Sequence, residues 1–152
     1  MLGTREKFNQ MSEQIVNRFA GQLVEVILSE EPALYYVGTL EVTPGYDPLA
    51  HKGQLTISSS DADAYRYHTE ETVAAVTGGG NVILLNDFMP AIPAVTVTEE
   101  TTLKWQVGTE RFIKTVSAGT WTFPELELVQ GENEIEITTG GTVTFRYREG
   151  RL

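Results

Sequence analysis

Apolar residues recur every three or four positions near the start of the chain, and charged or amide side chains fill the positions between them. The apolar stripe consists of Phe8, Met11, Ile15 and Phe19. Because an α-helix turns once every 3.6 residues, this spacing predicts an amphipathic helix over residues 4–20. A stripe of this kind is typical of a surface that faces a protein core.

Beyond the helix the pattern changes to alternation and to short apolar runs, which are typical of β-strands. We predict a buried strand over residues 23–28 and its hairpin partner over 34–42. Gly38, in the middle of the second strand, indicates a bulge or a close approach of another backbone. Residues 43–52 contain prolines and a glycine and are predicted to form a long loop, and residues 54–59 a further strand.

Three consecutive glycines, Gly78, Gly79 and Gly80, form the most flexible stretch of the sequence. Short apolar runs over 72–77 and 82–85 flank them, so we predict a hairpin at this point. Because glycine-rich stretches often separate folded units, we also expect the boundary between two domains close by.

From Pro90 onward the chain consists of short apolar segments separated by turn residues. The predicted strands span 92–98, 103–107, 111–116, 120–123, 126–129, 134–138 and 143–148. Strands that are this short and evenly spaced are typical of a β-sandwich or barrel. The chain is therefore predicted to be mainly β, with one N-terminal helix packed on a small antiparallel sheet and a β-sandwich after it.

The charge of the chain argues against several classes of partner. The 152 residues carry 21 acidic and 11 basic side chains, for a formal charge of −10, and each half of the chain is negative. Nucleic acids and anionic membrane surfaces attract clustered lysines and arginines, which this sequence lacks. No apolar run approaches the roughly 18–20 residues needed to cross a bilayer. We therefore predict neither a nucleic-acid partner nor a membrane partner.

Catalytic and metal-binding motifs are absent from the sequence. The lack of cysteine removes disulfides, thiolate metal sites and cysteine nucleophiles together. His51 and His68 have acidic residues nearby, but the spacing matches neither a calcium loop nor a zinc-binding helix. Glu132, Glu134 and Glu136 alternate with isoleucines, which makes them the solvent-facing side of a strand. We predict no catalytic residue, no metal site and no cofactor, and hence no enzyme.

The two tryptophans are the weak candidates for ligand binding, because sugar-binding modules stack aromatic rings on sugars. Trp105 shares a strand face with Leu103 and Val107, which predicts a place in the core. Trp121 alternates with threonines beside Phe123 and is predicted to point inward or into an interface. Large aromatic residues are common in cores and interfaces, so stacking on a sugar is the less favoured role.

Five segments carry a wider resemblance. They are Arg5–Leu28 followed by EEPALYYVGTLEV, then QLTISSSDADAYRY, NDFMPAIPAVTV, VSAGTWTFPELELVQGENEIEI and GTVTFRYREGRL. In order and spacing these segments resemble the distal tail proteins of siphophages. Asp63, Tyr65 and Tyr67 then occupy the D-x-Y-x-Y-like exit from that family's first domain.

The resemblance implies two domains. Residues 1–77 would form a partial ring-type α+β domain, and residues 82–152 a sandwich of the jelly-roll or galectin-like type, similar to carbohydrate-binding modules. In this family several strands precede the helix, whereas here Met1 lies almost directly before it. We therefore expect a truncated first domain, a chain that begins inside a larger protein, or a partner that supplies the missing strands.

The function that the resemblance implies is structural. The chain would belong to the tail tip or baseplate of a phage or prophage, in a ring of its own copies that joins the tail tube to the adsorption apparatus. Its partners would be itself and other tail-tip proteins, with assembly in the cytoplasm of the bacterial host and a final place in the virion tail tip. The alternative is a carbohydrate-binding module that recognises a cell-surface glycan.

Overall fold

The computed structural model describes residues 4–59 and 61–152, and these residues form one helix and fourteen strands. The helix α1 spans Thr4–Phe19. The strands are β1 (Leu23–Ile27), β2 (Leu34–Thr39), β3 (Glu41–Asp47), β4 (Lys52–Ser58), β5 (Arg66–His68), β6 (Thr72–Thr77), β7 (Gly80–Asn86), β8 (Ala94–Val97), β9 (Thr101–Val107), β10 (Glu110–Val116), β11 (Gly119–Thr122), β12 (Gly131–Thr138), β13 (Thr142–Tyr147) and β14 (Gly150–Arg151). The predicted fold class, mainly β with one N-terminal helix, is confirmed.

The chain divides into two compact units. Of the described residues, 4–31, 35–59 and 61–64 belong to unit 1, and 32–34 and 65–152 belong to unit 2. This division differs from the predicted domains 1–77 and 82–152, because β6 pairs with β13 and so belongs to unit 2. Residues 1–3 and 60 of the predicted first domain lie outside the described residues.

In unit 1, α1 packs on a two-stranded hairpin of β3 and β4. The hairpin is antiparallel, with Tyr46 opposite Gly53, and its helix-facing side is the more apolar one. The Phe8 ring of α1 lies over Gly53 and contacts the Tyr46 ring at a centroid distance of 5.7 Å. The predicted helix packed on a small antiparallel sheet is therefore present.

The predicted long loop over residues 43–52 is wrong, since most of it belongs to this hairpin. Residues 41–47 form β3, and only the turn around His51 separates β3 from β4. Pro44 favoured the prediction of a loop, because proline lacks the N–H that a central strand needs. Since the sheet has two strands, both of them are edge strands, and an edge strand tolerates proline.

The predicted hairpin of residues 23–28 and 34–42 corresponds to β1 and β2. The two strands pair antiparallel in an unbroken register from Leu23 opposite Thr39 to Ile27 opposite Tyr35. Gly38 marks a close approach, as predicted, because a Cβ there would lie 2.5 Å from Ser59 Oγ and 3.1 Å from Ala62 Cα. The unbroken register shows that Gly38 is not at a bulge.

Unit 2 contains an eight-stranded jelly roll. One sheet has the order β10-β9-β12-β7 and the other the order β11-β8-β13-β6. Each consecutive pair of strands therefore either crosses between the sheets or forms a hairpin, in the wrapped arrangement of two Greek keys. The predicted sandwich is confirmed and has the jelly-roll strand order.

The core of unit 2 lies between the two sheets and is filled by inward-facing aliphatic and aromatic side chains. Its fully buried members include Leu84, Val95, Leu103, Leu128, Ile135, Val143 and Phe145. The alternating burial of β12 and β13 follows from the period of two along a strand.

One predicted pairing and one predicted strand of unit 2 are wrong. Residues 72–77 and 82–85 do not form a hairpin, because β6 pairs with β13 and β7 with β12, in opposite sheets. Residues 126–129 do not form a strand and contribute a single bridge between Leu128 and Ala91. Their apolar pattern instead reflects the burial of Leu126 and Leu128 in the core.

Candidate functional site

Unit 1 leaves much of its apolar surface uncovered. On α1, Phe8 is half-buried against the hairpin, but Met11 is 62% exposed and Phe19 is also exposed. The predicted core-facing stripe is thus covered by the chain only in part. On the hairpin, Ile57 is exposed on the side that carries Leu55. Exposed apolar side chains grouped in this way are typical of interaction surfaces.

Strand β1 is the second uncovered part of unit 1. It lies at the end of its sheet, and Leu23 and Ile27 are 71% and 56% exposed on the same side of the strand. Glu25 is its one charged residue, and the strand contains no proline. Natural edge strands are usually protected by lysines, prolines, bulges or inward-pointing charges. Strand β1 has no lysine, no proline and no bulge, and its one charge, Glu25, lies on the same side as Leu23 and Ile27.

Strand β10, at an edge of the jelly roll, shows such a device. Lys114 lies opposite Leu103, on the inward side of the sheet, and its Nζ contacts Glu125 Oε1 at 3.1 Å. A backbone hydrogen bond at Glu125 and then the Lys114 ammonium lower the pKa of the Glu125 carboxyl. A charge that points inward on an edge strand opposes pairing with another chain.

Unit 2 carries an open groove of about 550 Å³ on the outward face of the sheet β10-β9-β12-β7. We call it the outer groove. Its lining includes the outward-pointing side chains of Asn81, Lys104, Gln106, Arg111, Ile113 and the glutamates of β12. Cross-strand register places Lys104 between Ile113 and Glu136, and Glu136 opposite Asn81, so these side chains form one row across the sheet.

The polar groups of the outer groove are partly paired with one another. Lys104 Nζ donates to Glu136 Oε1 at 2.8 Å, and Asn81 Nδ2 donates to Glu134 Oε1 at 2.8 Å. Arg111 Nε donates to Gln106 Oε1 at 3.4 Å. As predicted, the three glutamates of β12 share the solvent-facing side of the strand, opposite buried Ile135 and Ile137.

The two tryptophans lie in different settings. Trp105 is 5% exposed, is stacked on Phe112 at a ring distance of 5.5 Å, and donates its Nε1–H to the Glu125 carbonyl. Although Trp105 is buried, it contributes to the lining of the outer groove. Trp121 is 39% exposed, lies on β11 opposite Val95, and donates its Nε1–H to the Ser117 carbonyl. Trp121 is therefore the more exposed of the two tryptophans and the one that a ligand could reach more easily.

The histidines belong to different units. His51 lies in the β3–β4 turn of unit 1 with a φ of 50°. His68 lies on β5 of unit 2, where its Nε2 is 3.3 Å from Asp87 Oδ2. Arg151 Nε contacts the same oxygen at 2.9 Å, and Arg148 donates to the His68 carbonyl at 2.6 Å. These contacts hold the segment around β14 against β5. The side chain of His68 therefore contributes to the packing of the fold.

The acidic residues near the histidines in sequence serve local backbone structure. Asp47 Oδ1 accepts the backbone N–H groups of Leu49 and Ala50 in the hairpin turn. Hydrogen bonds from the side chain and backbone of Thr39, and then from Ser59, lower the pKa of Asp61. Within residues 4–59 and 61–152, no group of three or more His, Asp or Glu side chains could hold a metal ion.

Sequence reasoning found Glu132, Glu134 and Glu136 but missed the groove that they border. Lys104 and Gln106 occupy the outward positions of LKWQV, and Arg111 and Ile113 those of ERFIKTV. Alternation alone shows which side chains point outward. The groove also requires that β12 pairs with both β7 and β9. No local pattern in the sequence reveals that pairing.

Comparison with known proteins yields distant similarity only. No family model matches the chain, and no curated protein sequence matches it. A de novo designed double-stranded β-helix is 14% identical with a TM-score of 0.33, and the match covers 55% of this chain and 100% of that one. Streptomyces albus HEPD, with 2-hydroxyethylphosphonate and Fe(II) bound, is 14% identical with a TM-score of 0.36.

The match to HEPD covers 74% of this chain and 28% of that protein, so the chain spans little more than a quarter of its length. At these TM-scores neither neighbour bears on what this chain does. Among residues 4–59 and 61–152, no helix is long and apolar enough to cross a membrane.

Proposed function

We propose that the chain is a structural component of a phage or prophage tail tip, similar to the distal tail proteins that link the tail tube to the adsorption apparatus. In this role it acts by assembly and not by catalysis. Its place is the virion tail tip, and it is made and assembled in the cytoplasm of the bacterial host. The observation that carries the proposal is the uncovered apolar surface of unit 1.

The two units differ in how well they bury their own apolar residues. Unit 2 encloses a continuous core between its sheets. In the described part of unit 1, by contrast, Tyr35 is the only large apolar residue that is buried, and Met11, Leu23, Ile27 and Ile57 are all more than half exposed. Burial of apolar surface contributes roughly 25 cal/mol per Å². A partner that covers these side chains would therefore bind unit 1 favourably.

The edge of β1 supports a head-to-tail contact over a symmetric one. If two copies of β1 paired antiparallel about their centres, Glu25 of one copy would lie directly opposite Glu25 of the other. Like charges directly opposite each other destabilise a strand pair. A different strand of the neighbouring copy avoids this repulsion, and heterologous contacts of that kind generate rings when the rotation closes.

The experiment is a measurement of mass by light scattering after size exclusion, combined with negative-stain microscopy, on the wild type and on Leu23→Lys/Ile27→Lys. We expect the wild type to form rings and the double variant to be a monomer, because each added ammonium would have to be desolvated in the contact. Both positions are exposed, so the variant should keep its fold.

The matched control is Val73→Lys on β6, which is exposed to a similar degree but belongs to unit 2. It should leave the mass unchanged. A wild type that stays monomeric up to millimolar concentration, with no rings in the micrographs, would overturn the proposal that this chain assembles with itself.

Carbohydrate binding remains the alternative prediction, and it now depends on Trp121. Trp105 is buried and fully engaged through its ring N–H, whereas Trp121 keeps part of its ring exposed. A cell-surface glycan that quenched tryptophan fluorescence in the wild type, but not in Trp121→Ala, would favour this alternative.

A further inference from the structure

The outer groove of unit 2 is acidic. Four glutamates line it, Glu127, Glu132, Glu134 and Glu136, against the two basic residues Lys104 and Arg111. The Lys104 ammonium is already paired with Glu136. Within the described part of the chain, no hydrogen bond or ion pair engages the carboxylates of Glu127 and Glu132. The groove therefore offers uncompensated negative charge to a ligand.

Aliphatic side chains of the neighbouring strands lie beside these carboxylates on the same face of the sheet. Ile83 lies opposite Glu134 and Leu85 opposite Glu132, and both are exposed. Ile113, on the far side of the groove, is 65% exposed. Lysine and arginine place a charged head on a hydrocarbon stem, so each of them can pair with a carboxylate while its stem packs on an aliphatic neighbour.

The spacing of the carboxylates favours an extended ligand over a single ion. Glu132, Glu134 and Glu136 follow one another at every second residue of β12, about 6.8 Å apart along the strand. Within residues 4–59 and 61–152 the acidic side chains nowhere converge as a metal site requires. An extended peptide has the same repeat between alternate side chains, so basic residues at every second position would match the glutamates.

We propose that the outer groove docks an extended basic segment of a neighbouring protein, in which lysine or arginine recurs at every second position. The partner is not a second copy of this chain, which is acidic in both halves. The proposal concerns unit 2, whereas the proposed ring contact concerns unit 1. The failure of one proposal would therefore leave the other standing.

The test is fluorescence anisotropy of a fluorescein-labelled peptide of four Lys-Val repeats, titrated with the full chain at low and at high salt. We expect saturable binding that weakens as salt screens the charges. The double variant Glu132→Gln/Glu134→Gln keeps the size of both side chains and removes two charges. It should bind the peptide about three- to tenfold more weakly, given the modest strength of exposed ion pairs.

Two controls make the test specific. A peptide of four Glu-Val repeats should not bind, and Glu99→Gln/Glu100→Gln, in a turn outside the groove, should bind the Lys-Val peptide like the wild type. The proposal is overturned if the Lys-Val peptide shows no saturable binding up to millimolar protein, or if the two double variants weaken it equally. Displacement of the peptide by a neutral oligosaccharide would also overturn it, in favour of a glycan ligand.

Discussion

Tyr147 carries a hydroxyl group into the interior of unit 2, where it donates a hydrogen bond to the Leu85 carbonyl. The residue is 4% exposed. Burial, and to a lesser extent the Glu149 carboxylate, raises the pKa of Tyr147 to about 12. Both causes favour the neutral phenol, so the ionised form is disfavoured in the folded chain.

We predict that Tyr147 makes stability fall between about pH 10 and pH 12. In the unfolded chain the phenol ionises near pH 10, while in the folded chain it keeps its proton to about 12. Its contribution is therefore complete below pH 10 and is lost as the pH rises through that window. At pH 7, Tyr147→Phe should cost about 1 kcal/mol through the lost hydrogen bond.

The measurement is urea unfolding of the wild type and Tyr147→Phe at a series of pH values from 7 to 12. The difference in unfolding free energy between the two proteins should shrink across the window. A difference that is constant from pH 7 to pH 12 would show that the Tyr147 phenol has the same affinity for its proton in both states.

At the scale of elements, the packing of α1 on the β3–β4 hairpin depends on Gly53, which has no side chain. A Cβ on Gly53 would fall in the space that the Phe8 ring occupies. The helix can lie this close to the hairpin because position 53 is glycine. Across the strand, Tyr46 completes the contact with the Phe8 ring.

We predict that Gly53→Ala displaces the Phe8 ring and destabilises unit 1 by about 1–3 kcal/mol, the usual cost of overpacking. Gly45→Ala, on the other face of the same hairpin, is the matched control. Its Cβ would meet only the Gln54 carbonyl at 3.9 Å, an ordinary contact. Helical circular dichroism during urea unfolding reports on α1, and equal midpoints for the two variants would contradict the prediction.

The elements also show what the sequence could predict. The periods of 3.6 and 2 place α1 and most strands correctly, because amphipathic alternation is a local signal. Pairing is not local. The local pattern of residues 72–77 and 82–85 predicts a hairpin across three glycines. In the structure these glycines connect β6 in one sheet to β7 in the other.

The candidate site was less predictable than the fold for the same reason. The outward positions of β12 follow from its own alternation, but Lys104 and Ile113 join Glu136 in one row only through cross-strand register. The hydrophobic pattern also did not predict that Met11 and Phe19 are exposed. A hydrophobic stripe shows that a surface favours burial, and it does not show whether the same chain buries it.

At the scale of the whole molecule, the two units differ in the apolar surface that they enclose. Unit 2 has a continuous core of buried apolar side chains, whereas Tyr35 is the only large apolar residue that is buried in the described part of unit 1. Local stability follows the density of buried apolar contacts. The units should therefore open with different free energies.

We predict that, in the unassembled chain, the amides of α1 and of the β3–β4 hairpin exchange with deuterium at least about tenfold faster than those of β12 and β13. Assembly should slow exchange in β1 if the ring forms through its edge. Hydrogen–deuterium exchange followed by mass spectrometry measures both. Uniform exchange across α1 and the jelly roll would mean that the chain unfolds as a single cooperative unit.

The jelly-roll strand order has a consequence for the synthesis of the chain. Strand β6 finds its partner only in β13, where Thr72 lies opposite Tyr147. A ribosome that adds about 5–20 residues each second needs roughly 4–15 s to make the intervening segment. During that time β6 lacks its partner strand, so the jelly roll of unit 2 cannot close until β13 has been made.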